Sequence, residues 1–347
     1  MKKLFLPAVL LVIFIACSPA TEQSESDTIH WDSWGVPHIL AGTDAGFFFA
    51  DGWAQMHAHA NTLLRLYGSS RGRAAEYWGE AHFANDVMVH TLGHPDYAKQ
   101  MWAEQDPELK SLISAFVDGV NAYAEKYPET IDEENLQVLP VIAEDVNLHA
   151  QFVVNSRFIA GRELQISRSW DENGSNAYAI APSRSESGHA MLVQNPHLPW
   201  SGEFLWFEKH ALTPGQNIYG ANLVGLPGFA IAFNDHLGWT HTNNTIDNSD
   251  LYELTLDGDA YRYGEGSQPF ETKAVTLKVR NAEGMLDEKI VEVRRSIHGP
   301  VISAGESKAL ALRFAGKQAN NAILQWWKMA NANSFNEFET ALKMDQL

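Results

Sequence analysis

The sequence predicts an α+β protein, because helix patterns dominate before Ser175, short strand patterns follow it, and the chain ends in another helix pattern. Its 347 residues are 45% hydrophobic and 20% charged, a composition typical of a packed globular protein. The formal net charge of −18 argues against a nucleic-acid partner, since binding a phosphate backbone requires a basic face.

Two helices are predicted in the first half of the chain from long segments that mix apolar and polar residues. The first spans residues 45–68, with Thr43 and Asp44 as its N-terminal cap and Gly68 as its expected end. The second covers residues 144–158. Both belong to the half of the chain that precedes Ser175.

Two further helices have clearer boundary signals. One starts at Asp106-Pro107 and ends before Pro128, because proline breaks the helical hydrogen-bond pattern. Ser334 and Glu337 form a capping box before the other, over residues 338–344. The apolar residues of the helix after Asp106 fall on one face: Leu109, Leu112, Ile113, Phe116, Val117 and Val120.

After Ser175 the pattern shortens to runs of five to nine residues rich in β-branched and aromatic side chains, bounded by turn residues. The predicted strands are residues 177–181, 190–195, 204–212, 229–234, 238–242, 252–256, 274–279, 290–296 and 309–314.

Residues 1–17 have the pattern of an export signal. Two lysines precede an apolar run over residues 4–16, which is too short to span a bilayer as a helix. Cys17, the only cysteine, resembles the lipobox cysteine of bacterial lipoproteins, which implies a periplasmic protein with a lipid anchor in the outer membrane. The alternative is plain signal-peptidase cleavage nearby. Residues 18–27 are predicted to form a polar tether.

The junction Gly174-Ser175 stands between a polar loop and a predicted strand. A serine hydroxyl is a weak nucleophile unless a base takes its proton. If Ser175 became an N-terminus, its own α-amine could act as that base. The chain could create this terminus by attack of the serine on the preceding carbonyl, and glycine tolerates the geometry that such an attack needs. A Gly-Ser pair in a polar loop can equally be an ordinary turn.

Several ordered motifs decide between these two interpretations. The start "GSNAYAIAPSRSESGHAMLVQNPHL" resembles the β-subunit start of the penicillin acylase family of N-terminal nucleophile hydrolases. That family includes penicillin, cephalosporin, aculeacin-type and acyl-homoserine lactone acylases. Further resemblances are "DSWGVPHILAGT", "RLYGSSRGRAAEYWG", "LVGLPGFAIAFNDHLGWTHT" and "RRSIHGPVIS".

The resemblance implies a four-layer αββα sandwich with two antiparallel sheets, incomplete at the C-terminus because complete members are about twice this length. It implies self-cleavage between Gly174 and Ser175 and an α/β heterodimer. The implied divisions are a helical α-subunit region over 28–160, a spacer over 161–174 and the N-terminal part of the β-subunit over 175–347.

The resemblance also implies roles for particular residues. Ser175 would be the nucleophile, His197 would orient it, and the backbone N–H of Asn243 would enter the oxyanion hole. Asn176 would support the serine amine. The family's second oxyanion donor, a side-chain asparagine, is expected in a segment that would follow Leu347. Candidate wall residues for the acyl pocket are Leu198, Phe229 and Ile231.

Catalysis by this chemistry requires no cofactor, but the resemblance implies a structural calcium ion. Asp247, Asp250 and the Ser249 carbonyl would be its ligands, since calcium prefers hard oxygen atoms, and Glu163 would supply another. Two solvated aspartates in a turn are the alternative. His57 and His59 are not expected to bind metal, because residues two apart on a helix point to different sides. Ser70 in "GSSRG" is not expected to be a nucleophile, because that motif must follow a strand.

The sequence therefore predicts an exported amide hydrolase that acts on a small N-acyl substrate. His197 favours long-chain N-acyl substrates such as acyl-homoserine lactones over β-lactam antibiotics. A binding lipoprotein that keeps the fold without catalysis is one alternative, and an inert fragment lacking the second oxyanion donor is another.

Overall fold

The computed structural model describes residues 27–164, 174–243, 246–315 and 321–344. The predicted signal segment and Cys17 lie outside these residues. Within them no helix is both long and apolar enough to cross a membrane. The described part is a mixture of α-helices and β-sheets, which confirms the predicted α+β class.

Nine α-helices are present in the described residues, and seven of them precede Ser175. They are α1 (Asp44–Ser70), α2 (Ala74–Trp78), α3 (Phe83–Leu92), α4 (His94–Glu104), α5 (Pro107–Lys126), α6 (Glu133–Leu136), α7 (Ala143–Val153), α8 (Ala322–Ala330) and α9 (Phe335–Leu342).

Three helices begin where the capping residues in the sequence predict that they begin. The side chains of Thr43, Asp106 and Ser334 each accept a hydrogen bond from a backbone N–H of the first helical turn. The predicted end of α1 at Gly68 is wrong, because the helix continues to Ser70. Gly68 instead lies against Trp78, where a Cβ atom would meet the indole ring.

The predicted helix over 144–158 is shorter than expected, because α7 gives way to a π-helical segment at Val154–Ile159. Helices α2, α3, α4, α6 and α8 were not predicted. Each has 11 residues or fewer, so its periodicity is carried by few apolar positions.

All nine predicted strands are present with adjusted ends, and the described residues contain six further strands that were not predicted. The strands are β1 (Thr28–Trp31), β2 (Pro37–Leu40), β3 (Ser175–Ile180), β4 (Met191–Pro196), β5 (Trp206–Thr213), β6 (Gln216–Leu223), β7 (Ile231–Phe233), β8 (Gly238–Trp239), β9 (Ser249–Asp257), β10 (Ala260–Tyr263), β11 (Gly266–Pro269), β12 (Glu271–Arg280), β13 (Leu286–Ser296), β14 (Gly299–Ala304) and β15 (Lys308–Phe314).

Within the described ranges the strands form three sheets. A six-stranded sheet has the order β1-β2-β5-β6-β7-β8, a seven-stranded sheet has the order β11-β10-β9-β15-β14-β13-β12, and β3 pairs with β4 in a hairpin. The pairs are antiparallel, except that β2 and β5 are parallel. The six-stranded sheet is therefore mixed rather than antiparallel, because its first two strands come from the N-terminal part of the chain.

The main core lies between α1, α5, α8 and the six-stranded sheet. Phe47 of α1 stacks on Phe229 and on Trp327, with ring centroids 5.6 and 5.5 Å apart. Because Phe47 precedes Ser175 and the other two rings follow it, this core joins both halves of the sequence.

Candidate active site

Ser175 is the first residue of β3 and is half-exposed at the end of that strand. Gly174 before it has a positive φ of 63°. No described atom lies within 4 Å of the position that a Cβ on Gly174 would occupy. Glycine is thus required there by backbone conformation and not by space, since φ in this range is strained for other residues.

The hairpin of β3 and β4 brings His197 to Ser175. The register pairs Ser175 with Pro196, so His197 follows directly across the ladder. The backbone N–H of His197 donates to the Ser175 Oγ at 3.4 Å. In the structure the main chain of His197 therefore contacts the Ser175 hydroxyl, and the orienting role of this histidine stays a prediction.

The imidazole of His197 is held by a neighbour of the serine. The Nδ2 of Asn176 lies 3.0 Å from His197 Nε2 and donates to it when the imidazole is neutral and carries its hydrogen on Nδ1. Asn176 was assigned only a supporting role from the sequence. In the structure it connects the serine's strand to the histidine ring.

The hairpin is anchored to the six-stranded sheet by Gln194. Its Nε2 donates to the backbone carbonyl oxygens of Ala232 and Trp239, at 3.3 and 2.9 Å. Because side chains alternate along a strand, Ser175 lies on the same face of the hairpin as Gln194. The serine is therefore presented next to the edge formed by β7 and β8.

Asn243 lies in the irregular segment after β8, where it is half-buried. Among the proposed wall residues, Phe229 and Ile231 are buried, and Phe229 belongs to the main core. Leu198 packs beside a smaller apolar cluster that contains Phe152 and Leu226. An open cleft of about 900 Å³ lies beside α8 and α9, and Ser175 is not among its lining residues.

Two of the proposed calcium ligands, Glu163 and Asp247, contact the same arginine, and the third, Asp250, is exposed on β9. The guanidinium of Arg162 contacts Glu163 Oε1 at 2.9 Å and Asp247 Oδ1 at 3.3 Å. The Ser249 hydroxyl donates to Glu163 Oε2 at 2.6 Å. Burial raises the pKa of Glu163, but the hydrogen bonds from Ser249 and Arg162 outweigh this effect and lower it overall.

Across the described residues, no three or more His, Cys, Asp or Glu side chains are arranged to hold a metal ion. A calcium ion at Glu163 and Asp247 would have to displace the Arg162 guanidinium, which already supplies the positive charge. In the described arrangement these side chains therefore do not form a calcium site, and calcium binding would require Arg162 to move and the carboxylates to draw together.

Sequence reasoning missed a buried polar network beneath the sheet. Lys209 Nζ contacts both carboxylate oxygens of Asp51, at 2.7 and 2.6 Å, and both side chains are fully buried. Asp51 also accepts from the backbone N–H of Gly228 and from Gln55. A signal was present in the sequence, because Lys209 lies two residues from both Phe207 and Ala211 and therefore shares the inward face of β5 with them.

Ser70 confirms the expectation that "GSSRG" is no nucleophile motif. It is the last residue of α1 and is fully buried. Its hydroxyl lies 2.8 Å from the Leu66 carbonyl oxygen and 3.2 Å from His149 Nδ1. The other nitrogen of His149 lies 3.1 Å from the Val224 carbonyl oxygen, so this pair is a packed structural contact.

The penicillin amidase family model matches residues 27–346, which is nearly the whole chain. The chain belongs to the penicillin amidase family. This confirms the family resemblance that the Gly-Ser-Asn junction and its accompanying motifs indicate.

Two relatives within this similarity are each less than 30% identical to the chain. The chain is 28% identical to the acyl-homoserine lactone acylase PvdQ of Pseudomonas fluorescens (strain Pf0-1), over 94% of this chain and 48% of the relative. It is 24% identical to the penicillin acylase 2 proenzyme of Pseudomonas sp. (strain SE83), over 81% of this chain and 44% of the relative. The chain thus spans about half the length of the curated relatives it matches.

A solved structure of penicillin G acylase from Alcaligenes faecalis aligns with 48% of this chain and 31% of its own, at 20% identity and a TM-score of 0.43.

Proposed function

We propose that this protein is an amide hydrolase of the N-terminal nucleophile type, which cuts itself between Gly174 and Ser175 and then deacylates a small N-acyl substrate. The observation that carries the proposal is the placement of Ser175 at the head of β3, after a positive-φ glycine, with its Oγ beside the His197 N–H. Family membership supports the same chemistry.

In the first reaction, Ser175 Oγ attacks the carbonyl carbon of Gly174, and the peptide C–N bond breaks as an ester C–O bond forms. Water then hydrolyses the ester, which leaves a carboxylate on Gly174 and a free α-amine on Ser175. The exposed Gly174 and the open space around it leave room for this rearrangement. The product carries its nucleophile and its base on one residue.

In the second reaction, the freed amine takes the hydroxyl proton, Oγ attacks the substrate amide, and the leaving amine departs with that proton. Water hydrolyses the resulting acyl ester. The His197 N–H would hold Oγ in position, Asn176 would fix the imidazole, and the backbone N–H of Asn243 would stabilise the oxyanion. One such donor contributes about 3 kcal/mol to lowering the barrier.

We infer an N-acyl-homoserine lactone as the favoured substrate class and a β-lactam antibiotic as the second. His197 supports this inference, as do the names of the relatives, which include acyl-homoserine lactone and penicillin acylases. Release of homoserine lactone from an N-decanoyl substrate, compared with release of phenylacetate from penicillin G, distinguishes the two. Faster turnover of penicillin G would contradict the order.

Mass spectrometry of the purified protein tests the cleavage step. We expect a chain that begins at Ser175, and we expect Ser175→Ala to abolish it. Ser183→Ala is the matched control, because Ser183 is an exposed serine in the turn after the same strand. An uncut wild-type protein would instead favour a binding lipoprotein without catalysis, and a cut but inactive one would favour an inert fragment.

The lipid anchor and the calcium ion remain proposals of the same kind. A diacylglyceryl mass on an N-terminal Cys17 peptide, absent in Cys17→Ser, would support anchoring, whereas cleavage at another bond would refute it. For calcium, we propose Asp247, Asp250 and Glu163 as ligands once Arg162 is displaced. A thermal midpoint that rises with CaCl2 and falls with EDTA is expected, and an unchanged midpoint would contradict it.

A further inference from the structure

Two histidines face each other on the outward side of the six-stranded sheet. The parallel register of β2 and β5 places His38 opposite His210. Their Nδ1 atoms lie 2.8 Å apart, and the rings meet at 79°. The side chain of His38 is 33% exposed, so solvent reaches the pair.

The outer nitrogen of His210 carries a hydrogen. His210 Nε2 lies 2.7 Å from the Asn217 side-chain oxygen. That amide cannot be turned around, because its Nδ2 donates to Asp235 Oδ1 at 3.0 Å. Nε2 is therefore the donor, and the neutral imidazole keeps its lone pair on Nδ1.

The outer nitrogen of His38 faces a carboxylate. His38 Nε2 lies 3.7 Å from Asp32 Oδ2. The other oxygen of this carboxylate, Oδ1, accepts hydrogen bonds from the backbone N–H groups of Trp34 and Val36, which hold the Asp32 side chain in place. A negative charge at this position favours a hydrogen on Nε2 of His38 and leaves its lone pair on Nδ1 as well.

Two lone pairs 2.8 Å apart repel each other unless a proton or a metal ion lies between them. A metal–imidazole bond of about 2.0 Å puts two nitrogens about 2.8 Å apart at a right angle and about 3.3 Å apart at a tetrahedral angle. A right angle is the preference of tetragonal copper(II), which also binds nitrogen ligands most tightly among the first-row divalent ions. The carboxylates of Asp32, Glu208 and Asp235 give this face a negative charge that favours cations.

We propose that His38 and His210 form a binding site for a divalent transition metal ion, with copper(II) as the best match and water in the remaining positions. Asp32 and Asn217 act on the outer nitrogens, as oxygen acceptors commonly do behind metal-bound histidines. The site would join β2, upstream of Gly174-Ser175, to β5, downstream of it. It is independent of the proposed hydrolase activity.

Electron paramagnetic resonance of the purified protein with one equivalent of CuSO4 tests the site. We expect the wild-type spectrum to show nitrogen hyperfine structure from two imidazoles. In a copper titration, we expect the affinity of either His38→Gln or His210→Gln to be at least tenfold lower than that of the wild type. His189→Gln, which removes an exposed histidine elsewhere, should leave both results unchanged. Equal affinity in all four proteins, or a spectrum with a single coupled nitrogen, would mean that His38 and His210 do not hold a copper ion together.

The outer partner gives a second measurement. Asn217→Ala should weaken copper binding about 10- to 100-fold, the usual effect of removing an acceptor behind a metal-bound histidine. Asn217→Asp keeps an oxygen acceptor and should restore the affinity and the two-nitrogen spectrum. If Asn217→Ala and Asn217→Asp weaken binding equally, the oxygen behind His210 does not position a metal ligand.

Discussion

Gly174 has a left-handed backbone conformation with open space around it, and this combination makes a sharp prediction about self-cleavage. In Gly174→Ala the new Cβ meets no atom but disfavours the positive φ by about 1–2 kcal/mol. The junction should then relax to another conformation, and the rate of chain scission should fall at least several-fold. Time-resolved mass spectrometry of freshly synthesised protein measures this rate.

Gly188 is the matched control for that experiment. It also has a positive φ, of 71°, and a Cβ on it would meet no atom within 4 Å. It lies in the loop between β3 and β4. Gly188→Ala therefore imposes the same backbone strain away from the scissile bond. Equal slowing in both variants would mean that hairpin stability, and not the conformation of Gly174, controls the reaction.

His149 predicts a pH dependence of stability. Burial lowers its pKa from 6.5 to about 4, because the charged imidazole would be desolvated. The unfolded protein therefore binds the proton more readily than the folded one, and unfolding becomes easier as the pH falls from about 6.5 to about 4. Through this group alone, the free energy of unfolding should be about 2 kcal/mol lower at pH 5 than at pH 7.5.

Urea unfolding at pH 7.5 and pH 5 measures this effect. His149→Gln can keep hydrogen bonds to Ser70 and Val224 but does not titrate, so its stability should fall less between the two values. The exposed His189→Gln should retain the wild-type dependence. If His149→Gln loses as much stability as the wild type, other groups account for the pH dependence.

At the scale of whole elements, α1 and α5 touch backbone to backbone. A Cβ on Gly52 would overlap the Phe116 carbonyl oxygen, and one on Gly119 would overlap the Phe49 carbonyl oxygen. Alanine would raise helix propensity by about 1 kcal/mol at either position. The overlap should outweigh this gain, because forcing atoms into a packed contact costs about 1–3 kcal/mol or more.

We therefore expect Gly52→Ala and Gly119→Ala to lower the free energy of unfolding, measured by urea titration. Gly266→Ala in β11 is the control, since a Cβ there meets no atom within 4 Å and the backbone has an ordinary φ. Unchanged or increased stability in the α1 and α5 variants would show that the two helices can separate without cost.

Elements with strong local signals could be predicted from the sequence, and contacts between distant segments could not. Asp106-Pro107 and one apolar face defined α5 within one residue of its observed start. Strand β6, by contrast, was missed because Gly220 and two asparagines interrupt its apolar pattern. The Asp51–Lys209 pair joins positions 158 residues apart, a separation that no local periodicity encodes.

In the candidate site, too, some features could be predicted from the sequence and others could not. Ser175 and His197 could be assigned together because the family resemblance places both in one continuous motif, 22 residues apart. The bond between Asn176 and the His197 ring depends on side-chain rotamers, which the motif does not specify. The convergence of Glu163 and Asp247 on Arg162 was likewise missed, because it depends on how two distant segments pack.

At the scale of the whole molecule, the segments before and after Gly174-Ser175 are interleaved. Upstream strand β2 lies inside the six-stranded sheet, hydrogen-bonded to downstream β5. The buried Asp51–Lys209 pair joins α1 to β5, and Phe47 stacks between Phe229 and Trp327. Breaking such a buried ion pair costs about 3–5 kcal/mol, because it leaves an uncompensated charge.

If the protein cuts itself as proposed, its two chains should therefore remain associated. We expect one peak in size-exclusion chromatography under native conditions and two bands after denaturation in SDS. Ser175→Ala should elute at the same volume but give one band. Lys209→Met, which leaves Asp51 buried without its cation, should lower the urea concentration at which the two chains separate. Two native peaks from the wild-type protein would contradict the prediction, because the shared sheet and core would then fail to hold the chains once the peptide bond is gone.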